Sequence, residues 1–371
     1  MKDSWVIGGL AVASLALMLL LGWQIRDRLW DGSNDFVSFY AGGRLVGTGY
    51  LYNAERTRAT EHGLTRVLSQ AWRYIRLPFH AVFFWPLARL PYRTAYFLWE
   101  FLITAAFAGF VCLWRPPSWP LTLLFSSMSF PAFAALMNGQ DLTFLLLLVA
   151  ISVSLSRRGR AFAAGAVLSL CAAKFHLFSL VPVLLVAQKQ WRFLRGLLAG
   201  GVVLAAISFA AAGPSWPQQF YQALRDQTIN PDLGHMPNLH GLFSQFPPVG
   251  GLEWIAATAV VAAVYLVARR MSFDYALAAT LAGGLLVSYH CYLSDCSLLL
   301  PSALTVISAT GDWWLRLVAF LLLLPFGYFL LLLNSPLPAP VPLTILLFVF
   351  LMALEAWRRP MQPSSAPSHP L

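Results

Sequence analysis

Long apolar segments separated by short polar breaks make up most of the chain. A helix needs about 17 to 25 mainly apolar residues to cross a hydrocarbon core about 30 Å thick. Segments of roughly this length recur at 5–23, 95–114, 120–137, 141–156, 194–212, 252–268, 274–290, 295–309, 313–333 and 341–357. The pattern therefore predicts an all-α integral membrane protein, since one cleaved signal peptide does not explain the repetition.

One apolar stretch, 161–187, is interrupted at its middle by Lys174 and His176. Its 27 residues reach about 40 Å as a helix, which is too short for two full crossings. We therefore predict two short half-helices that meet at Lys174. Counting them brings the bundle to about 11 to 13 transmembrane helices.

The basic residues test this topology, because Lys and Arg in short loops mark the cytoplasmic side of a membrane protein. With the broken hairpin, one face receives Lys2, Arg115, Arg157, Arg158, Arg160, Lys189, Arg192, Arg195, Arg269, Arg270, Arg316, Arg358 and Arg359. Both termini are then expected in the cytoplasm. The long segments 24–94 and 213–251 are expected on the extracytoplasmic side.

Residues 1–359 are predicted to form a single polytopic membrane domain. Within the first long segment, 54–75 is polar but carries apolar residues at helical spacing, which predicts an interfacial helix. The tail 360–371 is rich in Pro and Ser and is predicted to be a disordered cytoplasmic tail.

Composition supports the membrane assignment: 58% of the residues are hydrophobic, 11% are charged and the mean hydropathy is +0.66. The net charge of +10 does not indicate nucleic-acid binding, because the basic residues lie between apolar segments and form no basic face on a soluble domain. The four cysteines lack paired metal-binding spacing, and no phosphate-loop or dinucleotide motif is present. We expect no metal and no cofactor.

Asp35 is the first candidate for chemistry. It follows the first predicted span in the apolar and aromatic sequence Asn34-Asp35-Phe36-Val37-Ser38-Phe39-Tyr40. A carboxylate in such a setting should have a raised proton affinity and could act as a general base. The structural alternative is that Asn34 or Asp35 caps an interfacial helix.

Three more polar clusters reach the same face in the predicted topology: Asn138 to Asp141, Lys174 to His176, and Ser288 to Asp295. Asp141 could simply cap the helix that follows it. Lys174 has no acidic residue near it in the sequence, so a phosphate is its natural partner. The loop 213–251 adds His240, although single histidines in loops usually lie on the surface.

Several of these segments resemble glycosyltransferase family 87, the PimE-like mannosyltransferases with the GT-C fold. The resemblance lies in Asp35 to Tyr40 with Gly43-Arg44-Leu45 and Gly49-Tyr50-Leu51-Tyr52, then in Pro78, Pro86-Leu87-Ala88, Leu90-Pro91, Ala95-Tyr96, Leu98-Trp99, Asn138-Gly139-Gln140, Lys174, Ser288, His290, Asp295 and Leu298 to Pro301. The chain departs from the family pattern at Arg76-Leu77-Pro78, Phe175, Tyr289 and Ser294.

The resemblance implies transfer of a hexose, mannose first, from a polyprenyl-phosphate donor to a lipid-linked or glycan acceptor at the outer face of a bacterial plasma membrane. Asp35 would be the general base of an inverting reaction. The residues implied to bind the donor phosphate are Lys174, His290 and Arg44, and those implied to bind substrate are Tyr40, Asn138, Gln140, His176, His240 and Asp295. Two alternatives remain open: a flippase or transporter of a lipid-linked anion, and a ligase or polymerase of surface polysaccharides.

Overall fold

The computed structural model describes residues 2–66, 72–114, 119–226, 233–246, 251–332 and 340–359. All regular elements in these ranges are helical. The predicted tail, 360–371, lies outside the described residues, as do Arg115 and part of each long polar segment.

The helices of the first half are α1 (Lys2–Gln24), α2 (Arg26–Asp31), α3 (Phe36–Leu45), α4 (Ala54–Glu61), α5 (Pro78–Phe84), α6 (Tyr92–Leu113), α7 (Trp119–Met128), α8 (Phe130–Met137) and α9 (Leu142–Arg157). Those of the second half are α10 (Ala161–Leu168), α11 (Val181–Ala187), α12 (Trp191–Ala212), α13 (Trp216–Leu224), α14 (Leu239–Phe243), α15 (Leu252–Arg270), α16 (Phe273–Val287), α17 (Leu299–Ala309), α18 (Trp313–Leu321), α19 (Phe326–Phe329) and α20 (Pro340–Arg358). Short 3-10 helices span Leu87–Arg89, Ser169–Phe178, Leu233–His235 and Leu293–Leu298.

Six helical segments among the described residues are long and apolar enough to cross a bilayer: α1, α6, α10 with the 3-10 helix after it, α12, α15 and α20. Helices α7 and α8, bent by 59°, make a seventh if they form one crossing. Three shorter apolar helices, Leu142–Arg157, Phe273–Val287 and Leu293–Ala309, pack among them. The prediction of an all-α polytopic membrane protein is confirmed. The predicted number of transmembrane helices, about 11 to 13, is higher than six or seven. It also counted short and bent apolar segments, which are not long enough for a straight crossing.

Several of the predicted basic segments, among those that the structure describes, meet at one end of the bundle, which we call the basic end. Arg157 Nη2 lies 2.6 Å from Asp274 Oδ2, so the end of α9 contacts the start of α16. Gln188 Nε2 donates to Met271 O at 3.0 Å, and Arg270 Nη1 donates to Trp357 O at 2.9 Å. The ends of α11, α15 and α20 therefore lie at the same level as the end of α9.

The predicted break at Lys174 is confirmed. Its backbone is non-helical, with φ −127° and ψ 56°, inside the 3-10 helix Ser169–Phe178. The chain enters this hairpin after Arg157 and leaves it at Gln188, and both positions are at the basic end. Lys174 is therefore carried into the bundle toward its opposite end, which we call the site end.

Glycines allow the hairpin to pack closely. A Cβ on Gly165 of α10 would overlap the carbonyl oxygen of Phe193, and one on Gly196 of α12 would overlap that of Phe162. Gly284 of α16 is in the same position against the carbonyl oxygen of Leu177. Helices in membranes use small residues for such close backbone contact.

The predicted interfacial helix over 54–75 is only partly correct. Helix α4 begins at an Asn53 cap, whose side chain accepts from Arg56 N at 2.9 Å, and it ends at Glu61. Gly63 follows with a φ of +80°, a conformation that ends a helix. Residues 72–75 are not helical, and 67–71 lie outside the described residues.

A buried aromatic cluster holds α3 against α5 and α6. Phe36, Phe84 and Trp99 are each at most 1% exposed, and the ring centroids of Phe84 and Trp99 are 4.6 Å apart. Burial of such large rings contributes several kcal/mol in total, about 1.5–3 kcal/mol for each side chain. This cluster fixes the start of α3, where Asp35 lies.

Candidate active site

Asp35 stands immediately before α3, but its carboxylate does not cap that helix. Asn34 instead binds a backbone N–H at the start of the helix, because its Oδ1 accepts from Phe36 N at 3.1 Å. Asp35 Oδ2 accepts instead from Gln140 Nε2. Among the described residues Oδ1 of Asp35 has no hydrogen-bond partner, so it is available to a ligand.

The turn Asn138-Gly139-Gln140 holds Asp35 in place. Asp35 N donates to Asn138 O at 3.1 Å, and Trp99 Nε1 donates to Gly139 O at 2.8 Å. Gly139 has a φ of +61°, and a Cβ there would lie 2.8 Å from the Asn34 side-chain oxygen. Only glycine adopts this conformation easily and also leaves that space. The predicted convergence of Asn138 and Gln140 with Asp35 is therefore present.

The electrostatic setting of Asp35 suits a proton acceptor. Burial raises the pKa of Asp35 to about 6, although Gln140, Lys174 and Arg76 each act to lower it. The residue is nonetheless only half-buried, unlike Asp141 and Asp295, which are buried. A carboxylate of this kind is ionised at neutral pH and is a stronger base than an exposed aspartate.

Lys174 has an acidic partner, contrary to the sequence-based expectation. Its Nζ lies 2.6 Å from Asp295 Oδ1, and the two residues are 3% and 1% exposed. Asp295 Oδ2 also accepts from Tyr292 N at 2.8 Å. No acid lies near Lys174 in the sequence, but the bundle supplies one 121 residues away. Two predicted ligand-binding residues therefore bind each other.

A small cleft lies at the site end of the bundle. Its wall includes both His176 and His290, whose ring centroids are 5.9 Å apart. The full lining is Ile75, Arg76, Leu77, Ala173, Phe175, His176, Phe220, Leu224, Tyr289 and His290. Segments far apart in the sequence, including the broken hairpin, thus form one concave surface.

A buried polar group beside the cleft was not predicted. Arg76 Nε lies 3.9 Å from Asp141 Oδ2, and His80 Nε2 lies 3.2 Å from the same oxygen. His80 Nδ1 is 3.2 Å from the Tyr74 hydroxyl. Burial lowers the pKa of His80 despite its bond to Asp141, so its ring is neutral at pH 7 and donates to the carboxylate through Nε2.

Asp141 itself was read as a possible helix cap. It does occupy the position before α9, but its side chain makes no capping hydrogen bond. Its contacts with Arg76 and His80 give it a place in the site instead. The sequence analysis noted Arg76 only as a departure from the family pattern and did not predict a role for it. Nothing in the sequence singled out His80, since a histidine in an aromatic loop is common.

Of the predicted site residues, only His176 and His290 line the cleft. Three others, Arg44, Tyr40 and His240, have partners elsewhere. Arg44 is exposed and donates through Nη2 to the Tyr40 hydroxyl at 2.9 Å, while Tyr40 donates to Leu90 O at 2.8 Å. His240 is half-exposed, and its Nδ1 lies 3.1 Å from Glu253 Oε1. His176 and His290 therefore belong to the cleft wall. Gln140 and Asp35 are joined to it by hydrogen bonds through Arg76, while Arg44, Tyr40 and His240 are not.

No group of three His, Cys, Asp or Glu side chains in the described ranges is placed to hold an ion. The polar atoms of the site form pairs, Lys174 with Asp295 and His80 with Asp141, rather than a common coordination sphere.

The sequence was compared with known protein families, curated proteins and solved structures. The sequence model of glycosyltransferase family 87 matches residues 75–294, which is more than half of the chain. The match includes Arg76, Gln140, Lys174 and His290, while Asp35 precedes it. No curated protein and no solved structure matches the chain. The chain therefore belongs to glycosyltransferase family 87 and is a membrane glycosyltransferase.

Proposed function

We propose that this glycosyltransferase moves a hexose, with mannose as the first candidate, from a polyprenyl-phosphate sugar to the hydroxyl of a lipid-linked or glycan acceptor. Asp35 is the general base in this proposal. The observation that carries it is the carboxylate of Asp35, a half-buried residue, which keeps one oxygen without a partner in the described structure and has a pKa raised to about 6.

The reaction needs one base and one charge-stabilising group. The acceptor oxygen attacks the anomeric carbon while Asp35 Oδ1 takes the proton of the acceptor hydroxyl. The bond between the anomeric carbon and the phosphate oxygen breaks, and the electron pair leaves with the polyprenyl phosphate. Because attack comes from the face opposite the leaving group, the product has inverted configuration.

The other carboxylates of the site are less suited to this role. Asp141 and Asp295 are 4% and 1% exposed, and each already has a positively charged or hydrogen-bonding partner. A proton placed on either would break a buried pair, which is costly. Asp35 is held only by the neutral amide of Gln140, so protonation costs it little.

The side of the membrane follows from charge. We propose that the basic end faces the cytoplasm, since Arg157, Lys189, Arg269, Arg270 and Arg358 lie in or beside short loops. Both termini would then be cytoplasmic. The site end, with the segments 24–94 and 213–251, would lie on the extracytoplasmic side of a bacterial plasma membrane. A donor with its sugar at the outer leaflet could reach the cleft without leaving the lipid.

The test is direct transfer. The full-length protein in lipid nanodiscs is incubated with polyprenyl-phosphate mannose, polyprenyl-phosphate glucose or nucleotide-linked mannose, together with an extract of envelope lipids. Mass spectrometry of the products should show the addition of one hexose only with a lipid-phosphate donor. Addition of preassembled oligosaccharide would favour a polysaccharide ligase, and movement of lipid without sugar transfer would favour a flippase. Transfer from the nucleotide sugar would contradict the proposal.

A further inference from the structure

We infer that Arg76 and His176 bind the phosphate group of the sugar donor, an assignment that rests on the proposed function. Both residues line the cleft. Each is only 7% exposed, and each has buried nitrogen atoms without a hydrogen-bond partner. Buried polar groups in folded proteins normally have partners, so this pair indicates a ligand that supplies acceptor atoms.

His176 gives the first half of the argument. Neither Nδ1 nor Nε2 of its ring has a hydrogen-bond partner in the described structure. The ring is instead surrounded by aromatic groups, with the Tyr289 centroid at 5.0 Å and the Phe175 centroid at 5.6 Å. A neutral imidazole always carries one N–H donor. That donor needs an oxygen atom from the cleft.

Arg76 gives the second half. Its Nε is buried without a hydrogen bond, and the nearest carboxylate oxygen, Asp141 Oδ2, is 3.9 Å away. The guanidinium makes one long bond, from Nη2 to Gln140 Oε1 at 3.4 Å, and its Cζ lies 5.6 Å from the Phe39 ring centroid. Five N–H donors in a planar fork match two oxygens of a phosphate.

The position of Arg76 connects the phosphate to the chemistry. Gln140 accepts from Arg76 through Oε1 and donates to Asp35 through Nε2, so one amide side chain separates the cation from the base. Arg76 is also the one permanently charged residue among the described residues that line the cleft. Lys174 also carries a positive charge, but it does not line the cleft and its ammonium is bound to Asp295.

The experiment measures binding rather than turnover. Full-length protein in detergent is titrated calorimetrically with a short-chain prenyl phosphate, with inorganic phosphate and with the matching prenyl alcohol. The wild type should bind the prenyl phosphate most tightly. Arg76→Gln and His176→Phe should each weaken that binding at least about tenfold, and Arg76→Lys should be intermediate because lysine keeps the charge but loses the fork.

Arg225→Gln is the matched control. This arginine is exposed, stacks 4.5 Å above the Tyr221 ring centroid and follows Leu224 of the cleft wall, so its loss removes a nearby positive charge without touching the proposed contacts. Binding by this variant should equal that of the wild type. An equal loss in Arg225→Gln and Arg76→Gln would reduce the effect to general charge and overturn the assignment.

A double variant, Arg76→Gln with Asp141→Asn, serves as the control for misfolding. It removes both charges of the pair, so no buried charge is left unpaired. Wild-type affinity in the folded Arg76 variants and in His176→Phe overturns the inference. Inorganic phosphate binding as tightly as prenyl phosphate overturns it as well, because the site would then hold a free anion. Binding that depends on Arg76, with no hexose transfer from any donor, would support the inference and contradict the proposed function.

Discussion

Three aspartates at the site end of the bundle differ in their surroundings, and the difference assigns their roles. Asp141 and Asp295 are buried beside cationic or donating side chains. Asp35 is half-buried and bonded to a neutral amide. Two aspartates therefore act as counter-charges that hold Arg76 and Lys174 in place, and the third can exchange a proton with a substrate.

The pH dependence of transfer tests this assignment of Asp35. Its pKa is raised to about 6 by burial, and the base must be ionised to accept a proton. We expect kcat/KM to be level above about pH 6 and to fall about tenfold per pH unit below it. Gln140→Leu removes a hydrogen bond that lowers this pKa, so the fall should begin at a higher pH. A profile that is the same in both proteins would contradict the assignment.

The Lys174 and Asp295 pair makes a separate prediction about stability. Lys174→Met leaves a buried carboxylate unpaired, which should lower the free energy of unfolding by about 3–5 kcal/mol. Adding Asp295→Asn should restore most of that loss, while keeping an acceptor for Tyr292 N. Thermal and denaturant unfolding of the purified proteins measures both effects. If the double variant stays as unstable as the single one, the ion pair is not the cause.

At the residue scale the sequence allowed part of the site to be predicted. Asp35 and the Asn138 to Gln140 turn were expected on one face because topology alone decides which loops share an end. The bond between Lys174 and Asp295 was not predictable, since it depends on how α16 and α17 pack against the broken hairpin. Arg76 and His80 lie in a non-periodic segment, where neither spacing nor burial can be read from sequence.

The broken hairpin positions one part of the cleft wall, Ala173, Phe175 and His176. Its helix α10 and the long helix α12 touch through the backbone at Gly165 and Gly196, and α16 touches the hairpin through Gly284. A glycine at these positions is needed because any Cβ would overlap a neighbouring carbonyl oxygen. Interior packing in proteins is too dense to absorb such an overlap without moving a helix.

Two glycines of α12 allow a matched test of this packing. Gly196→Ala should lower the free energy of unfolding by about 1–3 kcal/mol, because α10 and α12 must separate. Gly201→Ala, on the same helix, meets no atom within 4 Å and should cause no loss. Thermal unfolding in detergent compares the two. Equal stability of both variants would show that the close contact is not required.

Sequence periodicity predicted the elements better than their lengths. The break in 161–187 was predictable because a charged residue in an apolar segment cannot continue a lipid-facing helix. The early end of α4 was not predictable from the sequence pattern. Apolar residues at helical spacing continue beyond Gly63, whose positive φ ends the helix. Bends such as that between α7 and α8 also leave the apolar pattern unchanged.

The whole molecule has two chemically different ends, a basic end and a site end. This arrangement predicts the labelling of single cysteines by a membrane-impermeant maleimide, in a protein whose exposed Cys112 is first replaced by Ser. Arg58→Cys, exposed on α4, should react in right-side-out vesicles, and Arg192→Cys, exposed on α12, should react only in inverted ones. The reverse pattern would place the cleft on the cytoplasmic side and contradict the proposed orientation.

Asp35 as the general base is the central claim, and single-turnover transfer by Asp35→Asn tests it most directly. Full-length wild type and variant, both in nanodiscs, are given equal amounts of polyprenyl-phosphate mannose and acceptor lipid, and donor binding is measured in parallel. We predict that donor affinity changes little and that the transfer rate falls by about 10²- to 10⁴-fold. A variant that transfers the sugar at the wild-type rate would contradict the account.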